Sequence, residues 1–457
     1  VAGIGFELRR LLRRDSYLGY LQAYGAAGLV SSGPWVMSIV SVLIIGMCSA
    51  GAVPDRIQAE QFLVSVTALM AASLLFTSPL QLMFSRFVAD RAFARRDDEI
   101  LPNVLGALTL VTNSGGAVAM LLLPLFRGAP PGYPQLMVVT FVVLCDLWIV
   151  VLLLSGLKAY RQVLASFALG NVASVAGALL LRHFGLAGLL GGFAGGQTVM
   201  FFVLLRLVIL AHPSASGLVS FAFLRPSSAH YDLALTGVLF NFGIWADKLA
   251  FWANPETSRP VIGPLRSSIL YDLPIFIAYL SIVPGMAVFL LRIETDFVEE
   301  YDAFFRAIRE GATLTEIREI QVQLVAAVRQ GLYDILKLQG LTVVVLLLAG
   351  PKLLELAGIS RLYVHLLNVD VVGVALQVLL LALLSVLFYL DRRGTALAVT
   401  AVFALANCGL TILSQALGPE FYGYGFAGAA FLACLLATHL LTQRLARLDM
   451  ETFMQQA

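Results

Sequence analysis

Runs of about 20 apolar residues recur along almost the whole chain, and a helix of that length, rising 1.5 Å per residue, crosses a hydrocarbon core about 30 Å thick. This feature removes most folds from consideration. A backbone at bilayer depth has no water to bond with, so a crossing segment is a helix or part of a closed barrel. The runs are continuous rather than alternately apolar and polar, which excludes the barrel. Composition agrees: 59% of the 457 residues are hydrophobic and 13% charged, where soluble domains carry about 25% charged residues. Mean hydropathy is +0.88. The expected fold class is all-α, a polytopic membrane protein.

About twelve spans are expected, at residues 24–50, 62–87, 103–125, 134–157, 162–182, 186–211, 232–253, 270–291, 332–357, 362–390, 394–417 and 424–445. Ahead of them, residues 4–21 set Ile4, Leu8, Leu11, Leu12, Leu18 and Leu21 beside Arg9, Arg10, Arg13 and Arg14. That is the pattern of a helix lying in the membrane interface. The apolar stretch that follows is too long for a cleaved signal peptide and is expected to be retained as the first span. With the spans alternating, most of the 30 Lys and Arg fall on the side of the N-terminus, among them Arg86, Arg91, Arg95, Arg96, Lys158, Arg161, Arg392 and Arg393. Both termini are therefore expected in the cytoplasm.

The expected organisation is an interfacial helix at 1–22, an N-lobe at 23–211, a cytoplasmic linker at 212–231 with Pro213 and Pro226, and a C-lobe at 232–457. The C-lobe holds an insert at 292–331 that reads as two amphipathic helices. The first carries Phe297, Tyr301, Phe304, Phe305 and Ile308 on one face; the second opens with a Thr313–Glu316 capping box and continues with Ile317, Ile320, Leu324 and Val328. Such faces are expected to rest on lipid headgroups or on a partner. Gly33 and Trp35 align with Gly243 and Trp245, and Phe87-Val88 with Phe297-Val298, at one constant offset. These matches fit two lobes of about six helices each.

Several functions lack their signatures. A net charge of +2 without a basic stripe argues against a nucleic-acid partner. Cys48, Cys145, Cys408 and Cys434 fall inside expected spans with no paired spacing, so no disulfide, metal site or cofactor is expected. The run Gly185, Gly188, Gly191, Gly192, Gly195, Gly196 has neither the lysine nor the preceding strand of a phosphate-binding loop. Small residues at this spacing instead let two membrane helices approach closely. The 5 histidines are scattered without ligand spacing. His439 is the nearest candidate by depth for the general base of a membrane acyltransferase, a reading without further support, and no enzyme is expected.

Polar groups inside the spans carry the functional information, because a charged one costs roughly 2.5–3.5 kcal/mol at the bilayer centre and must face protein or water. Asp146 sits near the middle of its span. Asp247 and Lys248 lie in the outer half of the seventh, pointing about 100° apart, so they are not expected to pair with each other. Arg266 and Asp272, near the outer end of the next span, are available to Asp247 and Lys248 respectively. A structural ion-pair cluster joining two helices is the alternative. Ser31, Ser32, Gln81, Asn171, Gln197, Asn241 and Asn407 add uncharged polar groups that one aqueous cavity would satisfy. Pro34, Pro79 and Pro284 are expected to kink their helices. Trp35, Trp245, Tyr24 and Tyr279 are placed either to stack on sugar rings or to anchor the packing. The candidate substrate path comprises Ser31, Ser32, Trp35, Gln81, Asp146, Asn171, Asn241, Trp245, Asp247, Lys248 and Arg266.

Four stretches resemble the PelG family of exopolysaccharide exporters: Gly3-Ile4-Gly5-Phe6-Glu7-Leu8-Arg9, Gly28-Leu29-Val30-Ser31-Ser32-Gly33-Pro34-Trp35, Gly243-Ile244-Trp245-Ala246-Asp247-Lys248 and Arg292-Ile293-Glu294-Thr295-Asp296-Phe297. The resemblance runs the length of the chain. It implies the two-lobed fold of the multidrug, oligosaccharidyl-lipid and polysaccharide exporter (MOP) superfamily, with a central cavity, in a bacterial inner membrane. It also implies a polysaccharide substrate rich in N-acetylgalactosamine, made by the glycosyltransferase PelF, and the membrane partners PelD and PelE, PelD being the cyclic-di-GMP receptor. Three other functions remain open: a flippase for a lipid-linked oligosaccharide, an ion-coupled antiporter of small amphipathic molecules using Asp146 or Asp247, and a scaffold for the glycosyltransferase.

Overall fold

The computed structural model describes residues 17–50, 56–154, 160–213, 217–226, 228–356 and 360–450. The expected interfacial helix lies almost wholly outside them. The chain is built from α1 Tyr17–Ala50, α2 Arg56–Phe93, α3 Ile100–Leu122, α4 Tyr133–Leu154, α5 Tyr160–Leu181, α6 Gly185–Ala211, α7 Tyr231–Ala253, α8 Ile269–Tyr279, α9 Ile282–Leu291, α10 Val298–Arg309, α11 Leu314–Leu356, α12 Val364–Tyr389, α13 Arg393–Leu417 and α14 Tyr424–Ala446. Among the described residues, 10 helical stretches are long and apolar enough to cross a membrane. One of them, Gln162–Ala211, holds both α5 and α6, parted by the turn Arg182–Phe184 and by Gly185 at φ +65°. The protein is an all-α, multi-pass membrane protein.

Most span ends fall within a few residues of expectation, because apolarity alone sets them. The insert differs. It is not a pair of helices standing between spans: α9 runs through a π-helical turn, Arg292–Phe297, into α10, and the 43-residue α11 carries the second amphipathic segment straight into the ninth span. The expected capping box forms at Thr313, whose N–H donates to Glu316 Oε2 at 2.8 Å while its Oγ1 accepts from Glu316 N at 3.3 Å. The apolar faces, expected to rest on lipid or on a partner, are covered by the chain itself. Phe297 and Tyr301 pack on Tyr389 with ring centroids 5.5 and 5.9 Å apart. Phe304, Ile317, Leu324 and Val328 are all buried. Arg292 bridges Asp296 and Asp334 at 2.7 Å each and ties the π turn to α11.

The chain divides into two compact units, one of residues 1–33, 246–250 and 270–457, the other of 34–245 and 251–269. The passages inside α1 and α7 fall beside the repeated Gly and Trp motifs. This grouping differs from the expected start of a C-lobe at residue 232, since most of α7 belongs to the second unit. There Gly237 lies so close to α2 that a Cβ would sit 2.6 Å from the Ser78 carbonyl oxygen. Asn241 Nδ2 also donates to Gln81 Oε1 at 3.0 Å.

The second unit packs around Phe62, Phe84, Phe87, Phe193 and Phe223. Its α5 and α6 meet through small residues, as the glycine run anticipates: a Cβ at Gly192 would lie 2.1 Å from Ala178 N, and one at Gly196 2.2 Å from Ser174 N. Gly195, by contrast, faces open space. The linker is held on α3, with Ser220 N donating to Pro102 O at 2.9 Å and Ala222 N to Asn103 Oδ1 at 2.8 Å. A short hairpin, β1 Arg259–Ile262 and β2 Leu265–Ser267, is an addition to the helical expectation. It turns at Gly263, φ +53°.

Candidate functional site

In the first unit, charged and polar side chains from α7, α8, α12 and α13 meet inside helices that are otherwise apolar. Asp247 is 0% exposed and Lys248 4%. Their Cβ directions diverge around α7, yet Lys248 Nζ reaches Asp247 Oδ2 at 2.9 Å and Oδ1 at 3.2 Å. The expectation that these neighbours do not pair is therefore corrected. The Cα directions do diverge, but four methylenes let the ammonium fold back over its neighbour. Asp247 also accepts from Tyr271 Oη at 2.6 Å and from Asn407 Nδ2 at 3.3 Å. Thr411 Oγ1 donates to Asn407 Oδ1 at 3.1 Å, which fixes the amide with its nitrogen toward the carboxylate.

Lys248 in turn donates to Tyr279 Oη at 3.3 Å, and its Nζ lies 4.9 Å from the Tyr279 ring centroid and 5.5 Å from that of Phe426. Tyr279 Oη passes the chain on to Gln377 Oε1 at 3.1 Å. A buried charge pair is tolerable only when its remaining donors and acceptors are met, and here both phenols and an amide meet them. The two rings contribute a cation–π attraction, stronger where water is excluded.

Tyr279 ends α8, and the helix breaks at Leu280–Ser281 before α9 resumes. Pro284, expected to kink this span, sits in the first turn of α9, where its missing N–H cannot bond back across the break. Gln339 Nε2 of α11 donates to the buried carbonyl of Ser281 at the break, at 3.0 Å.

Asp370 of α12 completes the picture. It is 0% exposed, and neither of its carboxyl oxygens has a hydrogen-bond partner among the described residues. Gly423, in left-handed conformation at φ +87°, leaves room for it: a Cβ there would lie 2.9 Å from Asp370 Oδ1 and 2.8 Å from Leu366 Cδ1.

The other candidate path residues are dispersed. Arg266 lies on β2 and donates to the Ser258 hydroxyl and carbonyl, both at 2.8 Å, so it is not the partner of Asp247. The hairpin, rather than the membrane helix beyond it, holds its side chain. Ser32 Oγ bonds back to Gly28 O at 2.7 Å within α1, and Asn171 Nδ2 to Phe167 O at 2.9 Å within α5. Gln81 and Asn241 form the bond already described. The Trp245 and Trp252 rings lie 6.1 Å apart on α7. Asp146 accepts from Thr112 in the second unit. The side chains of Ser31 and Trp35 lie outside the described residues. His439, the candidate base, is exposed and bonds Gln443 at 2.9 Å. Sequence reasoning did not single out Asp370, Tyr271 or Gln377. Asp370 carried the same signal as Asp247, a carboxyl deep in an apolar run, whereas Tyr271 and Gln377 carried none.

The family model described as "PelG: Putative exopolysaccharide Exporter (EPS-E)" matches residues 1–453. A comparison with curated proteins gives no match. Among solved structures, similarity is found to an outward-facing multidrug resistance MATE family transporter of the MOP superfamily, at 15% identity over 93% of this chain and 96% of that one, with a TM-score of 0.62. An inward-facing conformation of such a transporter matches at 14% identity over 92% and 99%, TM-score 0.59. A MOP superfamily transporter from Pyrococcus furiosus matches at 15% identity over 93% and 96%, TM-score 0.61. At these identities the likeness is one of fold.

Proposed function

The chain belongs to the PelG family of exopolysaccharide exporters, and on that premise we propose that its cargo is the Pel polymer, rich in N-acetylgalactosamine, carried across the bacterial inner membrane. The observation that supports a polar path is the meeting of Asp247, Lys248, Tyr271, Tyr279, Gln377 and Asn407 at bilayer depth. A sugar chain presents hydroxyls and acetamido groups. A conduit for it has to offer donors and acceptors that exchange easily, together with ring faces on which pyranose rings slide. Phenols, amides, an ammonium and the Tyr279 and Phe426 rings supply these.

In this conformation the cluster is closed, since Asp247 is wholly buried. Transport therefore requires that Lys248 and Tyr279 turn from their present partners to the polymer, and the break between α8 and α9 beside Tyr279 is the hinge for that movement. Growth of the polymer at PelF supplies the push, PelD and PelE are the membrane partners, and both termini lie in the cytoplasm.

The test is luminal capture of labelled polymer by sealed vesicles containing the synthase, with nucleotide-sugar supplied only outside. Protected polymer should depend on this chain and fall with Tyr279→Phe or Gln377→Leu. Undiminished protection in vesicles lacking the chain would leave only a scaffolding role. A second reading, ion-coupled transport, is favoured by Asp370, a buried carboxyl without a partner where a proton or a cation would be held. It predicts that capture collapses with the ion gradient and that Asp370→Asn removes that sensitivity.

A further inference from the structure

The second unit has a polar feature of a different kind. A cavity of about 430 Å³ opens between α3, α4, α6 and the linker, lined by Thr109, Thr112, Asn113, Asp146, Phe201 and Leu218 among others. Asp146 lies near the middle of the 22-residue α4, and Thr112 near the middle of the 23-residue α3, so the opening reaches bilayer depth. Asp146 is 7% exposed. Its Oδ2 accepts from Thr112 Oγ1 at 2.8 Å, but its Oδ1 is buried with no hydrogen-bond partner among the described residues.

The neighbouring polar groups bond elsewhere. Thr109 Oγ1 donates to Leu105 O and Asn113 Nδ2 to Thr109 O, both at 2.7 Å, along their own helix. The opening thus has acceptors in excess of donors, at a depth where lipid tails offer no donor. Thr109 and Asn113 are nevertheless exposed. One turn on, Gly116 continues the same face, and a Cβ there would find its nearest neighbour, Val142, 4.0 Å away. Small and polar residues at helical spacing make a flat strip along which a second helix can approach closely and hydrogen-bond. Leu218, 80% exposed, and Val219, 45%, extend the strip with apolar surface at its linker end.

We propose that this groove seats a transmembrane helix of another membrane protein, one that carries a Lys or Arg near mid-span and donates it to Asp146. The charge complementarity selects the occupant. A lone basic residue is costly in lipid and a lone carboxylate equally so, and bringing them together relieves both. A wholly apolar helix would leave the carboxyl oxygen unpaired and is disfavoured. A headgroup amine sits at the membrane surface, too far from the middle of α4. A sugar polymer finds few polar groups here, because Leu105, Leu108, Phe201, Leu218 and Val219 form the rest of the lining.

The test places the photo-crosslinking residue p-benzoylphenylalanine at Thr109 or Asn113 of the full chain in its native membranes, with Leu180, 76% exposed on α5, as the control position. The expected result is an adduct at the first two sites and not at the third. Its cross-linked peptide comes from a membrane helix with a central Lys or Arg. The yield falls at least about tenfold with Asp146→Asn, as loss of a buried charge contact implies, and returns when Asp146→Lys is combined with an acidic substitution of the partner's basic residue. Asp146→Glu, which keeps the charge, should retain the adduct, and elution as a single species checks that each variant is folded. Adducts only with lipid, with polysaccharide or with other parts of this chain would overturn the proposal. So would a protein adduct indifferent to Asp146→Asn.

Discussion

Two buried carboxylates, Asp247 in the first unit and Asp146 in the second, are handled in opposite ways. In the first, Asp247 is enclosed and accepts from Lys248, Tyr271 and Asn407, so three helices of the same chain meet its needs. In the second, among the described residues, Asp146 has Thr112 alone and keeps one oxygen unpaired at the edge of an opening. A charge in a membrane helix demands a partner in either case. Where the chain supplies every partner, the charge becomes part of the architecture and moves only if the architecture moves. Where the chain supplies one of two, the residue is set to meet something from outside.

The sharpest way to break this contrast is Lys248→Ala. It leaves Asp247 buried and uncompensated, which costs about 3–5 kcal/mol. The expected outcome is a loss of folded, monodisperse protein, read by thermal unfolding in detergent. Replacing both partners, Asp247→Asn with Lys248→Met, should restore most of that stability, since buried pairs exchanged for neutral groups of similar volume are close to neutral. The double variant then separates a staple from a path: folded protein that no longer exports marks the pair as part of the path. Folded protein that still exports marks it as a staple.

Tyr271→Phe is the next step down. It removes one hydrogen bond, 2.6 Å long, from a carboxylate that keeps its lysine and its asparagine. The expected loss is about 1.5–3 kcal/mol, the range for bonds to charged groups. A smaller shift in unfolding temperature than that of Lys248→Ala would confirm that Asp247 is held by several partners rather than by one. Gly423→Ala should cost about 1–2 kcal/mol for a side chain forced into left-handed backbone, and more if Leu366 cannot yield. Because the added methyl also meets Asp370, this variant tests whether the unpartnered carboxyl needs the space that Gly423 leaves.

How much of this could be read from the sequence follows from the same physics. Apolar length alone placed the membrane helices, because lipid imposes a length and permits nothing but a closed backbone. It did not place the start of α11, since the amphipathic segment from Leu314 finds buried partners in its own chain and the helix has no reason to stop where lipid begins. The hairpin at 259–267 had its turn signal at Gly263-Pro264, but a few residues between spans carry too little pattern to be read. Asp146, Asp247 and Lys248 stood out by the cost of a charge in lipid. Their partners did not, because a phenol or an amide inside an apolar helix is cheap and draws no attention until the fold shows what it bonds. The neighbouring pair was misjudged by reasoning from Cα directions, which describe short side chains well and a lysine poorly.

The smallest expected effect lies in the open groove, where Thr112→Val removes the one donor that the described residues supply to Asp146. In the purified protein the cost should be about 1 kcal/mol, the net worth of an ordinary hydrogen bond, because the opening allows solvent to reach the carboxyl once detergent replaces the membrane. In native membranes the consequence depends on what fills the groove. If a basic helix is seated there, it already satisfies Asp146, and Thr112→Val should leave the photo-adduct at Asn113 in place while Asp146→Asn abolishes it. If the groove faces only lipid, the carboxyl loses its single partner in a medium that offers no replacement. Abundance of the Thr112→Val protein in those membranes should then fall further than the purified protein's stability predicts. The difference between the two settings, rather than either value alone, decides whether Asp146 is completed by another chain.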